Sequence, residues 1–252
     1  MSPGPNLLLR MFPRYTETGF MIILPEDDPH EVVDMMLETG YDKDFCVSFD
    51  FNSDFIAGLM EAGFLVMSAK FGGQEHEDDA SASGNEQFYL PLPKLHLTRS
   101  ALFFDNLHVK KSIKRHLNRY ELRPDADFDA ILNRCLEVHG DDWLTPPLVA
   151  AIRDIRRSDF GGVYPTSFAL YRDGKLVAGE FGVIAGRVYT SYSGYYDESN
   201  SGTVQLVLTT RWLQEQGFTF FDLGMPLVYK NGLGAVDISP EEFVRLFRLA
   251  QG

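Results

Sequence analysis

Residues 166–235 leave this chain little choice of fold. Three β-rich runs, at 167–171, 175–184 and 187–196, are separated by Asp173-Gly174 and Ala185-Gly186. Such dipeptides between strand-like runs close tight hairpins, so the three runs predict an antiparallel meander. A segment at 204–216 follows, with Val204, Val207, Leu208 and Trp212 at helical spacing and Gly217 as its stop. Phe-Thr-Phe-Phe at 218–221 then reads as a buried strand, and it ends on Asp222. Meander, helix and returning strand predict an α+β domain whose mixed, largely antiparallel sheet is flanked by helices.

The remaining chain fits around that block. Residues 7–24 are loosely strand-like, with breaks at Pro13 and Gly19. A helix is expected over 29–37, with Val32, Val33, Met36 and Leu37 on one face, and a strand over 45–51. Asn52-Ser53 caps a helix at 54–62 that Gly63 closes, and 64–67 is the next strand. These elements predict a small N-terminal α/β subdomain, residues 1–92, ahead of the larger domain at 93–252. Within it, 72–87 is acidic, small and aperiodic, which reads as a mobile loop. Glu75, His76, Glu77, Asp78 and Asp79 would be the ligands of any cation there, but nothing fixes a coordination geometry, and a solvated loop is favoured. Further on, 100–104 reads as a strand. Asp127 opens a helix with Phe128, Ile131, Leu132 and Cys135 inward. Thr145-Pro146 starts another with Leu148, Val149, Ile152 and Ile155 inward, and Ser239 caps the last, at 240–250.

A net charge of −13 argues against generic adhesion to nucleic acid or to an anionic membrane. No apolar run approaches the roughly 18 residues that a spanning helix needs, and the first residues lack a signal-peptide layout. Cys46 and Cys135 sit in apolar patterns, as buried thiols of a reducing compartment do. The expectation is a cytoplasmic monomer with no membrane partner, no cofactor and no metal site.

Against that acidic background, 107–119 stands out. Val109, Ile113 and Leu117 recur every fourth residue, as on one face of a helix. Lys110, Lys111, Lys114, Arg115 and Arg119 lie off that face, with no acidic residue among them. Five uncompensated cations in so short a span suit a phosphate backbone. A solvated face pairing with acidic neighbours fits the charge equally well.

Three further positions carry possible chemistry. Asp222 closes an apolar strand before Leu223-Gly224, where a carboxylate can meet a substrate amine, although the local pattern favours a turn-capping role. Glu180 sits among glycines in Gly179-Glu-Phe-Gly182, on the strand face of Ala178. Trp143 precedes a capped helix and can stack on a base or pack inward. Tyr189, Tyr192, Tyr195 and Tyr196 are first of all sheet residues. The sequence has no Gly-x-Ser-x-Gly elbow and no phosphate-cradling Gly-x-x-x-x-Gly-Lys, and its six histidines show no zinc spacing.

From about residue 45 onward the chain resembles the leucyl/phenylalanyl-tRNA–protein transferase family, a branch of the GNAT-like acyltransferases. Four passages carry the likeness: Leu107-His108-x-x-x-Ser112-x-Lys114-Arg115, Trp143-Leu144-Thr145, Gly179-x-x-Gly182-Val183-x-x-Gly186, and Asp222 with Leu233-Gly234-Ala235. The resemblance implies transfer of an aminoacyl group from a charged tRNA to the N-terminal amine of an acceptor protein, which marks that protein for proteolysis. It implies that Lys110, Lys111, Lys114, Arg115 and Arg119 bind the tRNA acceptor arm and that Asp222 is the catalytic-site carboxylate, orienting or deprotonating the attacking amine. Trp143, Glu180, Tyr189, Tyr192 and Gly224 would surround the aminoacyl group.

The departures are specific. Gly224 stands where the family has a glutamine, and Leu227 and Tyr229 where it has an asparagine and a histidine. Tyr192 replaces a glutamate, and Glu180 replaces an apolar residue of the amino-acid pocket. The family's Trp-Trp-Ser-Pro passage is absent, with Phe88-Tyr89-Leu90-Pro91 nearest to it. A carboxylate in an apolar pocket disfavours Leu or Phe and can pair with a cation, so a donor specificity altered from Leu and Phe is expected, with a basic amino acid as one option. The alternatives are a GNAT-like enzyme with another acyl donor, or a tRNA-binding relative without catalysis. Asn200-Ser201-Gly202-Thr203 matches an acetyl-CoA loop poorly. The cationic helix and Asp222 are expected to open onto one groove.

Overall fold

A computed structural model describes residues 13–72, 87–158, 160 and 162–252. The acidic loop and its candidate cation ligands fall almost wholly outside the described residues, as does the start of the strand-like 7–24. The chain divides into two compact units, Met1–Leu95 with Asp141–Ala151, and His96–Gly140 with Ile152–Gly252.

In the first unit, β1 (Arg14–Tyr15) and β2 (Met21–Ile22) form a short hairpin, and β3 (Leu65–Phe71) pairs antiparallel with β4 (Phe88–Lys94). Helix α1 (Pro29–Thr39) starts on Asp28, whose carboxylate accepts from His30 N at 2.8 Å, and ends on Gly40 in the left-handed region. Helix α2 (Ser53–Glu61) is capped by Asn52. The strand expected at 45–51 is reduced to a single bridge, Ile22 with Val47. Cys46 and Ser48 donate to the carbonyls of Pro93 and Pro91. Those prolines have no N–H to return, so no ladder propagates there. Ser68 of β3 holds the Trp143 carbonyl through its amide and its hydroxyl, both at 2.9 Å, and its hydroxyl meets Thr145 Oγ1 at 2.8 Å.

The second unit is built on a seven-stranded sheet. Its strands are β5 (Arg99–Leu102), β6 (Glu121–Pro124), β7 (Val163–Arg172), β8 (Lys175–Ala185), β9 (Val188–Tyr196), β10 (Phe220–Asp222) and β11 (Val236–Ile238), in the order β11-β5-β10-β9-β8-β7-β6. The meander at β7–β9 is as the hairpin signals predict, with Asp173 and Gly174 both at positive φ in the first turn. The short strands β6 and β11, four and three residues long, carry too little pattern to be read from sequence. All pairs are antiparallel except β9 with β10, which helix α6 (Ser201–Glu215) connects. Parallel neighbours require such a crossover.

Between β5 and β6 lies the basic stretch, which is no continuous helix. One α turn, α3 (Lys111–Lys114), stands between 3-10 turns at Phe104–Asn106 and Leu117–Arg119. Lys110 and Lys114, Lys111 and Arg115, and Arg115 and Arg119 are like charges at helical neighbour spacing, and no side chain caps the turn. The apolar period still does its work as an anchor, because Val109 and Ile113 are buried.

Helix α4 (Phe128–His139) covers one face of the meander. Asp127 precedes it with φ 56 and makes no cap bond; its carboxylate takes the Tyr171 hydroxyl instead. Phe128 meets Phe181 edge-on, and Gly179 leaves the space that Ile131 fills. Helix α5 (Pro146–Arg157) begins right after Thr145, as its cap-proline signal predicts. Helix α6 covers the opposite face, where Phe168, Tyr189, Leu213 and Phe221 pack together. A four-residue turn, α7 (Val228–Asn231), follows β10, and α8 (Pro240–Gln251), capped by Ser239, ends the chain.

Candidate active site

The parallel pair β9/β10 runs only from Val188/Phe220 to Thr190/Asp222. Beyond that level β9 continues to Tyr196, whereas β10 gives way to the turn Leu223-Gly224-Met225. Two buried polar groups mark this parting of the strands, one on each face of the sheet.

On the α8 face lies Asp222, 0% exposed. Arg99 grips it twice, Nε to Oδ1 at 2.9 Å and a terminal nitrogen to Oδ2 at 2.6 Å. The Thr190 hydroxyl donates to Oδ2 at 2.8 Å, and the Gly224 amide to Oδ1 at 2.9 Å. Gly224 reaches back in this way with φ 71, a conformation that favours glycine. The guanidinium of Arg99 in turn lies 4.2 Å from the centre of the Phe243 ring on α8. Every donor on Asp222 is internal, so the carboxylate does not line a groove, contrary to the expectation from sequence.

On the α6 face lies Glu180, opposite Gly194 on β9 and Phe168 on β7. It is 3% exposed, and the Ser191 hydroxyl donates to its Oε2 at 3.2 Å. Burial pushes its carboxyl up to about 7 despite nearby Gln205, Ser191, Tyr189 and Lys230, which all favour the anion. Its Oε1 and the buried Tyr189 hydroxyl complete no hydrogen bond among the described residues. Gly194 facing it is exposed and must be small, since a Cβ there would lie 3.0 Å from that of Glu180.

Lys230 on α7 sits past the end of β10. Its ammonium donates to the Leu223 carbonyl at 2.5 Å and the Met225 carbonyl at 2.7 Å, fixing the turn that follows Asp222. Burial lowers it to about 8, while Asp222 and Glu180 both pull the other way. Met225, Leu227, Val228 and Tyr229 are exposed around it. Tyr229 is raised by burial and by Glu180, so the rim and the buried carboxyl feel one another.

The basic stretch reaches the same face. Val109 and Ile113 pack with Leu170, Ala178, Val204, Val207 and Leu233. Ala178 is the next β8 position on the face of Glu180, about 7 Å along the strand. Lys110, Lys111, Lys114, Arg115 and Arg119 are all exposed. Among the described residues none of them is in an ion pair. Gly234 locks this stretch to the loop after β10: its φ is 98, and a Cβ there would lie 1.9 Å from the Asn106 carbonyl oxygen. Gly234→Ala is expected to cost about 1 to 3 kcal/mol and to lower the urea midpoint correspondingly; an unchanged midpoint would contradict this lock.

Of the residues picked from sequence, the second unit gathers Glu180, Tyr189, Asp222 and Gly224 at the strand parting. Tyr192 is the extra residue of the bulge between Phe181 and Gly182, half-buried and 6.1 Å from the Phe181 ring. Trp143 belongs to the first unit and is half-buried. Arg99, Thr190, Ser191, Gln205 and Lys230 escaped the sequence reading. Arg99 left a signal, since a cation at the head of the apolar run Ser-Ala-Leu-Phe-Phe needs a buried anion.

A mixed sheet with one parallel pair, bridged by a helix and parting over buried polar groups, defines an α+β fold with a candidate site at its strand ends. The chain belongs to the leucyl/phenylalanyl-tRNA protein transferase family, whose profile residues 101–248 match. The leucyl/phenylalanyl-tRNA–protein transferase of Pseudomonas entomophila is 29% identical over 150 residues, covering 58% of this chain and 65% of that protein. The protein of the same name from Rubrobacter xylanophilus is 30% identical over 149 residues, covering 58% and 76%. The match thus spans less than two thirds of the length of the Pseudomonas relative. Among solved structures, FemX aligns over 87% of this chain and 78% of its own, with 10% identity and a TM-score of 0.46. Among the described residues no helix is long and apolar enough to cross a membrane.

Proposed function

We propose that this chain transfers the aminoacyl group of a charged tRNA to the N-terminal amine of an acceptor protein, on a GNAT-like sheet. Family membership supports this reaction class. The observation that carries the reading to this chain is the row of five exposed cations, none in an ion pair among the described residues, anchored on the β8 face that also carries Glu180, in a protein of net charge −13. A row of cations tracks a phosphate backbone, and the acyl end of the tRNA then falls at the strand parting.

The chemistry needs little beyond placement. The acceptor nitrogen attacks the ester carbonyl, a C–N bond forms, the C–O bond to the ribose breaks, and the amine proton ends on the ribose hydroxyl. The ester is already activated, so holding amine and ester together supplies much of the acceleration. Of the two roles open to Asp222, orienting and deprotonating, its complete burial supports the first. It acts as a positioning residue, holding Arg99, Thr190 and the Gly224 turn, while Lys230 fixes the same turn from its other side.

A gel shift with total aminoacylated tRNA tests the binding step. The double variant Lys114→Ala, Arg115→Ala is expected to bind about tenfold more weakly near 0.1 M salt and to lower the slope of log affinity against log salt by about 1 to 2. Binding as tight as wild type, with an unchanged slope, would remove the basic stretch from the interface.

A further inference from the structure

Glu180 is a buried acid without a full set of partners. The nearby ammonium of Lys230 is spent on two carbonyls, and no ion pair joins it to Glu180. Glu180 Oε1 and the Tyr189 hydroxyl lie against one another with Gln205 beside them, and among the described residues neither completes a close hydrogen bond. A group rich in donors and lacking acceptors completes such a pair, and guanidinium and ammonium are the two side-chain groups of that kind. Gly194, directly across from Glu180, is exposed and carries no side chain, and the half-exposed Tyr229 ring lies within electrostatic reach. Tyrosine rings beside the carboxyl favour a cation further.

We infer that Glu180 is the counter-ion for a cationic side chain on the transferred amino acid, so that the preferred donors are tRNAs charged with arginine or lysine. This rests on the transferase reading above. The acceptor's α-amine is a poorer guest, because it must be neutral to attack, and a carboxylate that holds it as ammonium opposes the reaction. A cation arriving at Glu180 also draws its carboxyl, which burial holds near neutral pH, fully into the ionised form.

The test is a set of initial transfer rates to one acceptor protein from tRNAs charged singly with labelled Arg, Lys, Leu and Phe. Wild type is expected to use Arg or Lys about 100-fold faster than Leu or Phe, as a site loses when its buried polar groups are left unmatched. Glu180→Met is expected to erase or reverse that ratio, and the milder Glu180→Gln to lower it by about tenfold. Retained tRNA binding reports that the variants are folded. Leu or Phe used as well as Arg and Lys by wild type overturns the inference. So does a uniform fall for all four donors in the variants, which would make Glu180 a general base. Transfer from none of the four, with Leu and Phe included as the donors named for the family, overturns the transferase reading and the inference together.

Discussion

Arg99→Met is expected to destabilise the protein by about 3 to 5 kcal/mol, the loss typical when one partner of a buried ion pair is removed. Asp222 is 0% exposed and Arg99 1%, so no water can replace the lost donors. The variant would leave a carboxylate hydrogen-bonded only by the Thr190 hydroxyl and the Gly224 amide, at the junction of β5, β9 and β10. Chemical denaturation followed by fluorescence reads this directly. The double variant Arg99→Met, Asp222→Leu is expected to recover part of the loss, because removing both charges relieves the uncompensated one. A single variant as stable as wild type would mean that the pair is not the closed structural unit described here. Because the same pair sets the Gly224 turn, the single variant should also lose transfer activity beyond its loss of folded protein.

The second large effect is a pH dependence carried by Glu180. Its carboxyl is raised from its ordinary 4.5 to about 7, chiefly by burial. Between those values the folded chain keeps a proton that the unfolded chain releases. The contribution is therefore fully present below about 4.5 and is lost as pH rises through 7. At about 1.4 kcal/mol for each tenfold change in proton affinity, the swing is on the order of 3 kcal/mol. Glu180→Gln keeps the shape and cannot titrate. The difference in unfolding free energy between wild type and Glu180→Gln should accordingly shift against wild type by that amount from pH 4.5 to 8, with other titrating groups cancelling. Lys230, Tyr189, Tyr229 and Cys135 are the titratable groups coupled to this carboxyl, and all four are retained in the variant. A difference that stays flat across the range would mean that Glu180 is solvated and ionised throughout.

The fold was legible in the sequence where local chemistry decides the structure. Asp173-Gly174 fixes a hairpin through positive φ, Thr145-Pro146 starts a helix, and the buried strand expected at 218–221 forms over Phe220–Asp222. Where tertiary contacts decide, the reading stops short. The spacing of Val109, Ile113 and Leu117 suggests a helix, but repulsion among five neighbouring cations leaves one turn, and the apolar residues serve only to pin it. Two prolines in β4 turn an expected strand at 45–51 into a single bridge. The site follows the same division. Asp222 and Glu180 stand out because a carboxylate in an apolar strand is rare. Their partners come from 123 residues away for Arg99 and from separate elements for Gln205 and Lys230. No local pattern announces such pairings. What sequence also could not provide is the facing of the two acids. One strand alternates its side chains, yet only the pairing of β9 with β10 puts Asp222 under α8 and Glu180 under α6.

Transfer of aminoacyl groups from tRNA to a protein amine at this strand parting has one decisive assay. The protein is incubated with an acceptor protein and total tRNA charged with all twenty labelled amino acids, and the acceptor's N-terminus is then sequenced. The expected product carries one new labelled residue joined through a peptide bond to the former N-terminal amine, and it is absent when the tRNA is discharged beforehand. An acceptor that remains unlabelled, while the protein is folded and binds tRNA, would contradict such transfer.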